Sequence, residues 1–132
     1  LLYLLSGVMG NMLSFAFGDA YGLSAGASTS LFGMFAAFII LGRWFPYHPL
    51  IRHMSQNMKL LIILNLVMNL FDSGVDILGH LGGAIGGVLM MIVLGVPKKN
   101  LSEKLNVHQR IAVGIFVIFF MVFCVMYGFR FK

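Results

Sequence analysis

Two stretches of the sequence carry residues that could do chemistry together. Ser28 lies in the stretch GASTSLFG at residues 26–33, and His80 lies in the stretch GHLGGAIGG at residues 79–87. A serine hydroxyl is a weak nucleophile that needs a base within hydrogen-bond reach, and imidazole can take and return a proton near neutral pH. The pair therefore predicts acyl transfer, with Ser28 as nucleophile and His80 as general base. Taken singly, the histidine could instead bond a neighbouring helix, and the serine could bond its own helix.

The surrounding sequence is typical of a membrane protein. The 132-residue chain is 60% hydrophobic and 10% charged, whereas a soluble domain carries about 25% charged residues. Residues 21–42 and 111–128 hold no charge, and residues 77–96 hold one ionisable side chain, that of His80. Runs of about 18 or more apolar residues favour transmembrane helices over the core helices of a soluble protein. The predicted fold is an all-α, polytopic transmembrane bundle with about five segments: Leu1–Phe17, Ala27–Leu41, Met54–Phe71, Val75–Val96 and Ile111–Phe129.

The third of these segments is short for a membrane span. Its uncharged part, Leu60–Phe71, makes about 18 Å of helix, whereas the bilayer core is about 30 Å thick. It spans only if the helix extends back past Lys59, whose long stem could snorkel. Pro46 and Pro49 are predicted to break the chain after the second segment, and Pro97 is predicted to end the fourth.

Loop charge predicts an orientation in the membrane. The loops on one side carry seven basic residues and one acid, whereas those on the other side carry acids and no basic residue. Basic loops stay in the cytoplasm, so the second segment is predicted to run from outside to inside. The net charge of +5 is then a topology signal, and no nucleic-acid partner is expected. The seven basic residues are Arg43, Arg52, Lys59, Lys98, Lys99, Lys104 and Arg110, and the acids opposite are Asp19, Asp72 and Asp76.

The two candidate residues lie at similar predicted depths. From Ser28 to Gly42 is 15 residues, which make about 22 Å of helix and leave it about 8 Å short of the bilayer core. His80 follows a boundary charge, Asp76, by four residues, which puts it about 6 Å deep on a helix that runs the same way. A serine at a helix N-terminus would also have unpaired N–H groups beside it, and these can stabilise an oxyanion.

Small residues would let the serine and histidine helices approach closely. Gly79, Gly83 and Gly87 form a stripe along the fourth segment, and Gly33 and Ala37 form one along the second. Such stripes permit close packing of membrane helices. Close packing would bring the two candidate side chains together.

These residues resemble the motifs of the rhomboid family. Residues 26–29 are similar to the rhomboid G-x-S-G motif, and residues 79–83 look like the family's histidine-bearing helix. An aromatic residue in the position of Phe32 packs on the catalytic imidazole in that family, and Gly83 falls on the serine-facing side. The resemblance implies two catalytic residues, Ser28 and His80, and four supporting residues, Gly26, Thr29, Phe32 and Gly83.

The same resemblance implies an intramembrane serine endopeptidase that cleaves single-pass transmembrane proteins by a Ser/His dyad, without metal or cofactor. Residues 1–97 would be part of a rhomboid catalytic domain, and residues 98–132 a cytoplasmic loop and an additional C-terminal transmembrane helix. The chain would be the C-terminal, catalytic half of a larger protein and inactive alone. The expected setting is a bacterial plasma membrane. Transmembrane substrates and lipid would be the partners, and the site would open to the extracytoplasmic side.

Thr29 departs from the family pattern, which has glycine at that position. A β-branched residue restricts the backbone, so the oxyanion loop could differ and the activity could be weaker. The alternative function is therefore a rhomboid-like protein that binds membrane clients without cutting them. A transporter or channel would call for broken helices or repeats with polar groups at the midplane, whereas Ser28 and His80 are predicted to lie off-centre.

Five other polar side chains are interpreted as structural. His53 and Asn57 resemble the H-x-x-x-N pair of the family's earlier helices, but they follow the serine and are predicted to lie in a cytoplasmic loop. Asp76 could face the histidine from four residues away and is interpreted as a boundary charge. Asn65 and Asn69 are predicted to form hydrogen bonds between helices.

Overall fold

The computed structural model describes four stretches of the chain: residues 1–18, 27–71, 74–95 and 106–131. Within them the regular structure is entirely helical, which confirms the predicted all-α bundle. The helices are α1 (Leu2–Phe17), α2 (Ser28–Trp44), α3 (Pro49–Asn69), α4 (Ile77–Leu94) and α5 (Val107–Phe131).

Proline determines where α3 begins. His48 is extended, with φ −92° and ψ 107°, which is the conformation that a following proline favours. Pro49 is then the first residue of α3, a position where its missing N–H costs nothing. The predicted start of this segment at Met54 is therefore wrong, because the proline begins the helix.

With that start, α3 has 21 residues, about 31 Å of helix, and it extends back past Lys59 as spanning would require. His53 and Asn57 lie on its exposed surface, where Asn57 Nδ2 is 3.3 Å from His53 Nε2. Their predicted placement in a loop is wrong for the same reason. Among the described helices, α4 and α5 are long and apolar enough to cross a membrane, while α1 and α2 are apolar but shorter.

Side chains form hydrogen bonds with the backbone at both ends of α4. At its start, the Asp76 carboxylate accepts a hydrogen bond of 2.8 Å from the backbone N–H of Gly79, as a helix N-cap does. At its end, the guanidinium of Arg110 donates to the carbonyls of Val93 and Leu94 at 2.7 Å. Arg110, predicted to be a loop charge, lies in α5 and ties that helix to the electronegative end of α4.

Glycines allow α4 to pack directly on the backbones of α1 and α2. A Cβ placed on Gly87 would lie 2.5 Å from Gly33 Cα, and one placed on Gly10 would lie 2.7 Å from the Gly83 nitrogen. Real Cβ atoms are not found at such distances, so a side chain at these positions would push the helices apart. The predicted glycine stripe of α4 therefore faces neighbouring helices.

The outer surface of the bundle is apolar. α5 packs on α1 and α4 through a small core of Met9, Met90 and Val117. Large side chains on its outer face stay open, with Phe119 71% exposed and Phe129 79% exposed. Soluble proteins rarely expose apolar surface on this scale. Contact of this outer surface with lipid explains the exposed apolar side chains.

Candidate active site

Ser28 is the first residue of α2, and its side chain is exposed. The first hydrogen bond of the helix runs from the Leu31 N–H to the Ala27 carbonyl, at 3.0 Å. The N–H groups of Ser28, Thr29 and Ser30 therefore precede the helical ladder and have no carbonyl within it to bind. The hydroxyl thus lies beside the positive end of the helix dipole.

His80 lies in the first turn of α4 and is buried, with 6% of its surface exposed. Its Nε2 is 2.8 Å from Ser28 Oγ, a normal distance for a hydrogen bond between a hydroxyl and an imidazole nitrogen. The structure therefore brings together the two residues that the sequence paired, across 52 positions of the chain. The contact joins an exposed residue, Ser28, to a buried imidazole.

Phe32, one turn after Ser28, packs flat against the imidazole. The two ring centroids are 4.4 Å apart, and the planes differ by 5°. The phenyl ring is itself buried. This stacking limits rotation of the His80 ring.

A second polar side chain reaches the imidazole from α3. Asn69 Nδ2 is 2.8 Å from His80 Nδ1, on the other side of the ring from Ser28. Asn69 was predicted to bond between helices, and the contact does join α3 to α4. Its partner was not foreseen, because spacing along the chain does not reveal a contact made across the turn after α3. Asn65, one turn earlier, donates to the Leu61 carbonyl of its own helix.

The family model described as the rhomboid domain matches residues 1–97. The chain belongs to the rhomboid family. The rhomboid protease GluP of Bacillus subtilis (strain 168) is similar to it, with 35% identity over 104 residues. That alignment covers 79% of this chain and 20% of GluP, so the chain spans about a fifth of that relative's length. No solved structure matches the chain significantly. The predicted rhomboid resemblance is confirmed.

Two of the supporting residues of this rhomboid chain lie against each other. A Cβ placed on Gly83 would lie 2.9 Å from the carbonyl carbon of Thr29 and closer still to its oxygen. Thr29 is buried, and no described non-glycine residue has a positive φ. Threonine in place of the family's glycine therefore fits an ordinary helical backbone. Gly26 lies outside the described residues.

The remaining polar groups near the rhomboid site have structural partners. Asp76 Oδ1 accepts from the Gly79 N–H, so this oxygen caps α4. Among the described residues, no three histidine, cysteine, aspartate or glutamate side chains come together as a metal site would require.

Proposed function

We propose that this rhomboid chain carries the nucleophile and the general base of an endopeptidase that cleaves single-pass transmembrane proteins within the membrane. The observation that carries the proposal is the 2.8 Å distance between Ser28 Oγ and His80 Nε2. A nucleophile activated by an adjacent base, with that base held by further groups, is the usual geometry of covalent hydrolysis.

In the proposed reaction, Ser28 Oγ attacks the carbonyl carbon of the scissile peptide while His80 Nε2 takes the hydroxyl proton. The carbonyl oxygen becomes an oxyanion, which the N–H groups of the first turn of α2 are placed to stabilise. When the C–N bond breaks, His80 returns the proton to the leaving amine. Water then attacks the acyl-enzyme with His80 again as base, which releases the acid and restores Ser28.

Three features support cutting over the alternative, in which the protein binds membrane clients without cleaving them. Ser28 is an exposed residue, the imidazole of His80 is within hydrogen-bond distance of its hydroxyl, and Thr29 has no positive φ. A protein that only binds clients would not need the first two. We further propose that residues 1–97 form part of the catalytic domain and that residues 98–132 add a loop and a further membrane helix.

A serine-directed fluorophosphonate probe tests the proposal in the full-length protein. We expect the probe to label the wild type at Ser28, and we expect Ser28→Ala or His80→Ala to prevent labelling. Ser30→Ala is the matched control, because Ser30 is a buried serine on the same helix and should leave labelling unchanged. Folded wild-type protein that resists the probe would contradict the protease assignment.

The proposed setting is a bacterial plasma membrane, with the site open to the extracytoplasmic side. The orientation rests on the asymmetry of charge, with Arg43 in the last turn of α2, Arg52 in the first turn of α3, and Lys98, Lys99 and Lys104 in the sequence between α4 and α5. In a Cys124→Ala background, single cysteines at positions 19 and 74 should react with a membrane-impermeant maleimide from outside. Cysteines at positions 48 and 102 should react only after permeabilisation. Labelling of position 48 in intact cells would reverse the orientation.

A further inference from the structure

The imidazole of His80 has a polar partner on each of its two nitrogens. Ser28 Oγ lies 2.8 Å from Nε2, and Asn69 Nδ2 lies 2.8 Å from Nδ1. We infer that Asn69 is a positioning residue whose side-chain amide selects the tautomer of His80 that can accept the proton of Ser28. This inference rests on the proposed function and assigns the Ser28–His80 pair a third member from α3.

The argument begins with the single N–H of a neutral imidazole. To act as a base toward Ser28, His80 must present a lone pair at Nε2, so its proton must sit on Nδ1. His80 is only 6% exposed. A buried N–H without an acceptor is unfavourable, because it has lost its hydrogen bond to water and gained none in the protein. An acceptor at Nδ1 therefore favours the reactive tautomer.

The amide of Asn69 can supply that acceptor. Rotating its terminal torsion by 180° exchanges Nδ2 and Oδ1 at nearly the same place. With Oδ1 toward the ring, the amide accepts from Nδ1–H, and Nε2 is open to Ser28. With Nδ2 toward the ring, the amide donates to Nδ1, and Nε2 must carry the proton that blocks it as a base. Only the first orientation also suits the imidazolium, which has an N–H on both nitrogens.

Two other described side chains, those of Phe32 and Asp76, lie near His80. Phe32 covers a face of the ring, and Oδ1 of Asp76 accepts from the Gly79 backbone. Asn69 is the last residue of α3, so the placement of that helix end decides whether the amide reaches Nδ1. The end of α3 is thereby linked to the reactivity of a base on α4.

The test uses the full-length protein with a transmembrane substrate and the fluorophosphonate probe. Asn69→Leu keeps the approximate shape of the side chain and removes the hydrogen-bond acceptor for Nδ1–H. We expect it to lower kcat and the labelling rate about 10²-fold, which is the effect of a misplaced catalytic group. KM should change little. Asn69→Asp retains an acceptor, since a carboxylate accepts from Nδ1–H as an amide oxygen does. Its kcat should therefore be at least about tenfold higher than that of Asn69→Leu. Asn65→Leu is the matched control, because Asn65 bonds only its own helix in the structure. We expect this variant to have the kcat and labelling rate of the wild type. Its Tm should equal that of Asn69→Leu.

Nitrogen NMR of protein labelled at the histidine imidazoles reads the tautomer without requiring activity, with the His80 signals assigned from His80→Ala. We expect a protonated Nδ1 in the wild type and in Asn69→Asp, and a mixture of tautomers in Asn69→Leu. A wild-type His80 protonated mainly at Nε2, or an Asn69→Leu enzyme as active as Asn65→Leu, would overturn the role of Asn69. A protein that is silent to substrate and probe but shows the expected tautomers would refute the proposed function and leave the contact established.

Discussion

Cleavage of a transmembrane substrate should fall by about 10⁴–10⁶-fold in the full-length protein when either Ser28 or His80 is replaced by alanine. In the proposed mechanism the two side chains act as one unit, because the hydroxyl of Ser28 is reactive only while the imidazole 2.8 Å away takes its proton. The double variant should therefore be no slower than either single variant, since the second substitution removes a function already lost. Initial rates in detergent or proteoliposomes, with product fragments identified by mass spectrometry, measure this.

Folding must be separated from chemistry in that experiment. Ser28 is exposed, so Ser28→Ala should keep the wild-type Tm. His80→Ala removes a ring that stacks on Phe32 and contacts Asn69, so some loss of stability is expected there. Ser30→Ala should keep full activity. Cleavage by Ser28→Ala at a tenth of the wild-type rate or faster would end the protease assignment.

Adding a single methyl group at Gly83, as Gly83→Ala, should have the next largest effect on the rate of cleavage. The added Cβ would press on the carbonyl of Thr29, with the carbonyl carbon at 2.9 Å. Because this neighbour is backbone, no change of rotamer relieves the contact, and α2 must move away from α4. Ser28 precedes Thr29, so its distance to His80 should lengthen. We expect Gly83→Ala to lower kcat about 10²-fold and to cost about 1–3 kcal/mol of stability through overpacking.

Gly114→Ala is the matched control for that substitution. A Cβ on Gly114 would find its nearest neighbours, the methyl groups of Val93, at 4.0 Å, an ordinary contact. Both variants add the same methyl group to a glycine inside a helix, so the gain in helix propensity is shared. The comparison isolates the separation of α2 from α4. A Gly83→Ala enzyme with wild-type kcat would show that the dyad does not depend on that close contact.

The sequence alone predicted the five helices and paired the two central residues of the candidate site. An uncharged run can be recognised from neighbouring residues alone. Lipid offers no hydrogen bonds to the backbone, so such a run forms a helix, in which the backbone groups bond one another. Ser28 and His80 could be paired because each lies a few residues inside an apolar run from the same predicted face of the membrane. The glycines of α4 indicated close packing because small residues let the backbones of two membrane helices approach each other.

The tertiary structure alone decided which partners the polar side chains of one helix contact on another helix. The start of α3 at Pro49 is different, because it follows from the local preference of proline for the first helical position, and it moved His53 and Asn57 from a predicted loop onto a helix. The amide of Asn69 and the guanidinium of Arg110 belong to residue types that have many possible partners. Which partner each one reaches depends on the relative position of two helices, and the spacing of residues along one chain does not encode that position.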